Sequence, residues 1–348
     1  MGVFMKKRLV IITSILIGFL ILNYIIGIII YSCIFAGRIE SKTYLMPRLD
    51  DYPTLEAERH MFESKNNELV GYLYSSEVVE EKGIVVFAHG YGGGGQIGYL
   101  DIFNCLTSNG YYVFAYDATG NDESEGNGIG GLPQGIIDLE NAIKYAKTID
   151  EVDDLPMMLM GFSWGAFSVS NVLNYYSDVE AVVAISGFNE SMDMIECHSS
   201  RYIGALGKVI LPFAKINETI KYGKYANTSA IEGFSNTDAK IMIVHSEDDK
   251  TVPIQYGYNE YYEKYSNDNR FIFKHYDDKG HADVYRSYTG AKFYNDFVNN
   301  LNHYASSEKL TEEEIIEYVE DFMNREKLCN MLDKKLMNEI VALFDSCL

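Results

Sequence analysis

Hydrophobic and polar positions divide this chain into three kinds of segment. The first is one uncharged block, Leu9 to Ile30, rich in isoleucine and leucine, with Lys6, Lys7 and Arg8 directly before it and no further charge until Arg38. At about 1.5 Å per residue such a helix spans the roughly 30 Å of a bilayer core. The second kind is a series of short apolar runs: Gly83 to Ala88, Tyr111 to Tyr116, Pro156 to Met160, Ala181 to Ile185, Lys240 to His245 and Arg270 to Tyr276. In Gly83 to Ala88 the hydrophobicity is continuous rather than alternating, which predicts a strand covered on both faces and therefore a mostly parallel sheet. His60 to Ser64 and Leu69 to Tyr74, joined by Lys65-Asn66-Asn67, predict an antiparallel hairpin ahead of that sheet. The third kind has helical spacing. Pro133 to Thr148 places Ile136, Leu139, Ile143 and Ala146 on one side, and helices are also expected over Gln96 to Ser108 and from Trp164 to Leu173.

The alternation of strands and helices gives an α/β class with one globular domain, expected over residues 57–307. Residues 1–37 form the tail and transmembrane helix, and 38–56 a linker with Pro47 and Pro53. Residues 188–235 break the rhythm with Met192, Met194, Ile195, Val209, Ile210 and Phe213, interrupted by Pro212. An insertion at that point is placed to cover a site at the strand ends as a small helical cap. The stretch 308–348 reads as a C-terminal extension of two helices. Thr311 and Glu314 form a capping box before Ile315, Val319 and Phe322, and Leu332, Leu336, Ile340 and Leu343 make a second stripe. No catalytic residue type is organised there, so packing on the domain or self-association with another subunit is its expected role.

Composition narrows the function classes. The 348 residues are 47% hydrophobic and carry a formal net charge of -21, which disfavours nucleic acid as a partner. The five cysteines, Cys33, Cys105, Cys197, Cys329 and Cys347, form no C-x-x-C pair and no zinc spacing, and buried free thiols are the expectation. No phosphate-binding loop or metal cluster stands out, so no cofactor and no metal are expected. The basic residues abutting the apolar block favour a single-pass membrane protein with a cytoplasmic N-terminus and an extracytoplasmic globular domain. A cleaved signal peptide and a lipoprotein-like Ile30-Tyr31-Ser32-Cys33 are the competing readings.

The candidate chemistry centres on Gly161-Phe162-Ser163-Trp164-Gly165, between an apolar run and a helix. A serine on so sharp a strand-to-helix turn is held in a strained backbone conformation, and side chains two positions to either side would collide with neighbouring elements. Ser163, Asp249 and His281 then follow in the chain order nucleophile, acid, base, each just after a predicted strand. Asp248 is the rival for the acid. The run His89-Gly90-Tyr91-Gly92-Gly93-Gly94-Gly95 after a strand offers a backbone N–H, that of Tyr91, to pair with that of Trp164 as an oxyanion hole. His89 is expected to support that loop rather than act as a base. The carboxylates of Asp117 to Gly126 are expected to be solvated or to cap turns.

These residues resemble the α/β-hydrolase superfamily, and in particular N-terminally anchored bacterial serine hydrolases or esterases. The resemblance covers about Ala57 to Tyr304 and rests on His89-Gly90-Tyr91-Gly92, the loop Asp117 to Gly126, GFSWG, Asp249-Lys250-Thr251-Val252-Pro253 and Gly280-His281. It departs from the family loop at Asp122, where glycine is common. The resemblance implies an α/β-hydrolase fold, with Ser163 as nucleophile, His281 as base and then acid, and Asp249 orienting His281. A small-molecule acyl ester or thioester is the implied substrate. An acyltransferase or a serine aminopeptidase would use the same three residues, and a non-catalytic surface binding protein is the alternative from another class.

Overall fold

The computed structural model describes residues 2–76, 79 and 81–348. Eight strands form one sheet in the order β1-β2-β4-β3-β5-β6-β7-β8. β1 (Leu55–Ser64) and β2 (Asn67–Ser76) are the expected antiparallel hairpin, with β1 starting earlier and β2 extending further at both ends than the apolar pattern shows. β2 joins antiparallel to β4 (Tyr111–Tyr116), and from there the sheet is parallel through β3 (Gly83–Ala88), β5 (Met157–Phe162), β6 (Ala181–Ile185), β7 (Lys240–Ser246) and β8 (Phe271–Tyr276). The helices are α1 (Gly2–Ile34), α2 (Leu100–Thr107), α3 (Gln134–Ala146), α4 (Trp164–Asn171), α5 (Ser191–Ile203), α6 (Ala205–Tyr222), α7 (Ala230–Ser235), α8 (Tyr258–Tyr265), α9 (Tyr288–Glu308), α10 (Glu312–Phe322), α11 (Arg325–Leu328) and α12 (Lys334–Asp345).

Successive side chains of a strand point to opposite faces, so each central strand supplies two cores. Ile84 and Val86 of β3 join Ile136 and Leu139 of α3 and Phe167 of α4 on one face. Val85 and Phe87 join Ile102, Phe103 and Leu106 of α2 and Leu336, Ile340 and Phe344 of α12 on the other. Each fully buried side chain of this size stabilises the fold by about 1.5–3 kcal/mol. The tail is therefore not an appendage. Its second apolar stripe closes one face of the sheet. The tail also contains three helices rather than two, because the one-turn α11 breaks the path between α10 and α12. The capping box of Thr311 and Glu314 is present, while Phe322 stays exposed.

Two further expectations need correction. Pro212 does not interrupt the insertion but lies inside α6, on its exposed side. Within the insertion, Phe234 of α7 is fully buried in the core of the domain. The linker is also docked. Ile39 bridges to Asn121, Ser41 donates from N and Oγ to Asp122, and Arg38 reaches the carbonyls of Ser124 and Gly126 at 2.7 and 2.9 Å. Tyr44 and Leu45 then pack on a small cluster of Leu301, Val319 and Met323.

α1 is long and apolar enough to cross a membrane by length and composition, a test that an anchor and a signal sequence both meet. Its C-terminal turns do not stand free. The Tyr24 and Phe213 rings lie 6.5 Å apart, Gly27 gives Phe213 room to approach, and buried Tyr31 donates to Glu218 of α6 at 2.6 Å. All five cysteines are free as expected, but none is buried: Cys33 is exposed and the other four are half-buried.

Candidate active site

β5 ends at Phe162 and α4 begins at Trp164, which leaves Ser163 alone on the turn with φ 56° and ψ -113°. A non-glycine residue held there stores strain of about 1–3 kcal/mol, tolerated only where the surroundings fix it. They do so by close approach. A Cβ on Gly165 would lie 1.9 Å from the carbonyl oxygen of Ala88, and one on Gly161 would lie 2.3 Å from that of Gly165. The two glycines let the start of α4 press onto the ends of β3 and β5, and Ser163 is pushed out at the rim of the sheet.

His281 and Asp249 meet Ser163 there. Ser163 Oγ lies 2.8 Å from His281 Nε2, and His281 Nδ1 lies 2.6 Å from Asp249 Oδ2. Asp249 Oδ1 accepts the N–H groups of Thr251 and Val252 at 2.8 and 2.9 Å, so the carboxylate is fixed by its own loop. Burial opposes its ionisation, but hydrogen bonds from His245, His281 and the Val252 N–H outweigh that and hold it well below the usual carboxylate range. Asp248 does not face the imidazole. Its Oδ1 accepts from Ser246 Oγ at 2.7 Å and from the Gly280 N–H at 2.7 Å, which shapes the loop that carries His281.

That loop has a second brace, from the tail. Lys279 is buried, and its Nζ donates to Asp333 at 2.7 Å and to the Arg286 carbonyl at 2.7 Å. Asp333 is the N-cap of α12. The sequence reading missed this role because nothing in the pattern links Asp333 to a loop 54 positions earlier.

Tyr91 and Trp164 both line the cavity in front of Ser163. Trp164 opens α4, where the first N–H groups have no partner within the helix. His89 is fully enclosed. Its Nε2 accepts from the Ala118 N–H at 2.9 Å, so Nδ1 carries the proton and donates to the Gly90 carbonyl at 2.8 Å. Burial favours that neutral form, which braces the glycine loop as expected.

A family model described as serine aminopeptidase, S33, matches residues 79–221. The quorum-quenching protein AidA of Acinetobacter baumannii (strain MDR-ZJ06) is 26% identical over 139 residues, which are 38% of this chain and 46% of that protein. The match thus spans about half the length of that relative. Among solved structures, the Pyrococcus furiosus esterase Pf2001 superposes with a TM-score of 0.53 at 16% identity, covering 75% of this chain and 95% of that one. The chain has the α/β-hydrolase fold. The Pyrococcus horikoshii acylaminoacyl peptidase shares it at a TM-score of 0.52 and 18% identity, over 72% of this chain and 41% of that one.

In this α/β-hydrolase fold the cavity holds about 680 Å³ and is lined mainly by apolar side chains. Phe188, Met194 and Ile195 come from the insertion as expected. Ile34 and Phe35, at and just beyond the end of α1, also line it, and the sequence pattern does not announce them because they close a long uniform block. Among the described residues of the lining there is no carboxylate. The acidic loop is a correction. Asp117 is buried rather than solvated and accepts the N–H groups of Gln96 and Glu123 at 2.9 and 3.2 Å. Burial pushes its carboxyl up to about 7. Asp122 accepts from the Gly95 N–H at 2.7 Å as well as from Ser41, so it ties the linker to the glycine loop. That is what this departure from the family loop does.

Proposed function

We propose that this chain is a serine hydrolase that cleaves an ester-like bond of an apolar acyl substrate through an acyl-enzyme. One observation carries the reading. A single imidazole lies within hydrogen-bond reach of both Ser163 Oγ and the Asp249 carboxylate. With Asp249 ionised, Nδ1–H donates to Oδ2 and Nε2 is free to take the Oγ proton as Oγ attacks the carbonyl carbon. The tetrahedral oxyanion is received by the backbone N–H groups of Tyr91 and Trp164. As it collapses, the bond to the leaving oxygen breaks and that oxygen takes the proton from Nε2. Water then repeats the sequence on the Ser163 ester, and the acid is released.

The S33 family model favours a second reading, an aminopeptidase, since its description names that activity. Recognition of a peptide amino-terminus calls for a fixed anionic partner near the nucleophile, and the described lining, mainly apolar with His198, Ser199 and Thr251, has no carboxylate. An ester of an apolar acid suits that wall better. Reaction with a fluorophosphonate probe tests the chemistry: labelling is expected in the wild type and absent in Ser163→Ala. Equal labelling of the two overturns it. Comparing activated esters with aminoacyl amides ranks the two readings. The chain is further proposed to be a single-pass membrane protein, N-terminus in the cytoplasm. Recovery of all the protein in the soluble fraction after a wash at high salt and high pH would exclude the anchor.

A further inference from the structure

The apolar helix and the cap are one packed unit. Tyr24, Gly27, Tyr31 and Ile34 recur at helical spacing, and the first three face α6 through Phe213 and Glu218. Glu218 is fully buried and also accepts from Ser191 Oγ at the start of α5, so one carboxyl joins α1, α5 and α6. The contact begins well inside the apolar run. From Leu9 to Asn23, ahead of it, the helix offers only about 22 Å at 1.5 Å per residue, short of a bilayer core of roughly 30 Å. Lys6, Lys7 and Arg8 fix the other boundary. The turns of α1 that complete the span are therefore those that α6 clasps, and α6 must sit at the same depth.

The outer face of α6 fits that position. Val209, Pro212, Ile216 and Ile220 recur at intervals of three or four, all on the exposed side, with Ile220 71% exposed. The buried side holds Gly207, Ala214 and Glu218. An amphipathic helix in a water-soluble domain points its apolar stripe inward, and this one points such a stripe outward. Of the lysines that flank it, Lys215 and Lys221 turn back to donate to the Ala226 and Gly130 carbonyls, so their charges lie off the stripe. The active-site cavity belongs to the same corner. Ile34 is half exposed and lines the cavity, and its carbonyl accepts the hydroxyl of Tyr91, another half-exposed residue of the lining.

We propose that α6 lies in the outer leaflet beside the end of α1, and that the cavity takes a long-chain acyl ester directly from the bilayer. This rests on the reading of the site as a Ser163 hydrolase and of α1 as a membrane span. Ile34 and Phe35 form the part of the wall met first by a chain rising along α1, and Met194 and Ile195 continue it towards Ser163.

Two measurements on the full chain, reconstituted in phosphatidylcholine vesicles, test the proposal. Trp164 is the single tryptophan and is buried. Ile216→Trp adds a second, whose emission is expected to be quenched by brominated phosphatidylcholine well beyond the wild-type level. Equal quenching overturns the placement of α6. Ile216→Glu with Ile220→Glu is expected to keep turnover of soluble 4-nitrophenyl acetate within about twofold and to lose tenfold or more on 4-nitrophenyl palmitate carried in the vesicles. An equal change on both esters overturns the bilayer route while leaving the hydrolase reading intact. Absence of turnover of either ester by the wild type, with no fluorophosphonate labelling, defeats the hydrolase reading itself and this proposal with it.

Discussion

Asp249→Asn separates the geometry of the site from its mere composition. Asp249 divides its two oxygens between tasks: Oδ1 accepts from the Thr251 and Val252 N–H groups, and Oδ2 faces His281 Nδ1 at 2.6 Å. An asparagine retains the first task with its carbonyl oxygen, so the loop keeps its shape. Its NH2 then faces Nδ1 and donates to it, which moves the imidazole proton to Nε2. A protonated Nε2 cannot take the Ser163 proton. Removal of the acid in this manner costs roughly 10⁴-fold in kcat, or about 5.5 kcal/mol of activation free energy. The control is Asp248→Asn, which alters contacts to Ser246 and Gly280 but none to the imidazole. It is expected to lose less than about tenfold. Turnover of 4-nitrophenyl acetate by both variants, with thermal unfolding to confirm that each is folded, decides the matter. Asp249→Asn within tenfold of wild type, or the larger loss in Asp248→Asn, would refute the assignment of the acid.

Three other outcomes follow from the packing. Gly165→Ala places a methyl 1.9 Å from the Ala88 carbonyl oxygen, and because both partners are backbone it should destabilise by about 3 kcal/mol or more, read by denaturant unfolding. Asp333→Asn weakens the brace on Lys279, so kcat should fall by roughly tenfold with KM nearly unchanged, and a tail that serves only packing would leave kcat alone. Asp117, raised to about 7 by burial, binds its proton in the folded state over a window where the unfolded chain has lost it. Stability should therefore fall as pH rises from about 4 to 7, with a slope of up to about 1.4 kcal/mol per pH unit from this group. Asp117→Asn should flatten that slope in unfolding measured from about pH 4 to 7, whatever it does to absolute stability.

The central strands and the residues gathered at the rim were legible because both leave local marks. A strand buried on two faces has to be apolar at every position, and Tyr111–Tyr116 and Ala181–Ile185 end where their hydrophobic runs end. GFSWG is legible because the strain at Ser163 restricts what its neighbours can be. What escaped depends on contacts between distant segments. Nothing local shows that Asp117 is buried, that Asp333 reaches Lys279, or that α12 completes a core. Tyr258–Tyr265 and Tyr288–Glu308 carry so many tyrosines and polar residues that no narrow apolar stripe marks them. Pro212 misled for the opposite reason: its local mark says break, and the packing of α6 on α1 and α5 keeps the helix continuous through it.

On the proposed reading, the chemistry and the choice of substrate are housed in different parts of the chain. Ser163, Asp249 and His281 stand on loops that leave strand ends, and backbone contacts fix the first two directly. Little in that arrangement distinguishes one acyl group from another, because every ester presents the same carbonyl to the same donors. On that reading the distinguishing surface is the wall made by α5 and the end of α1, two segments tied to each other through Tyr31, Glu218 and Ser191. A change in α1 should then be felt as a change in which esters are accepted, and not as a change in how the bond is broken. An N-terminal helix that served only as a tether would have no such effect.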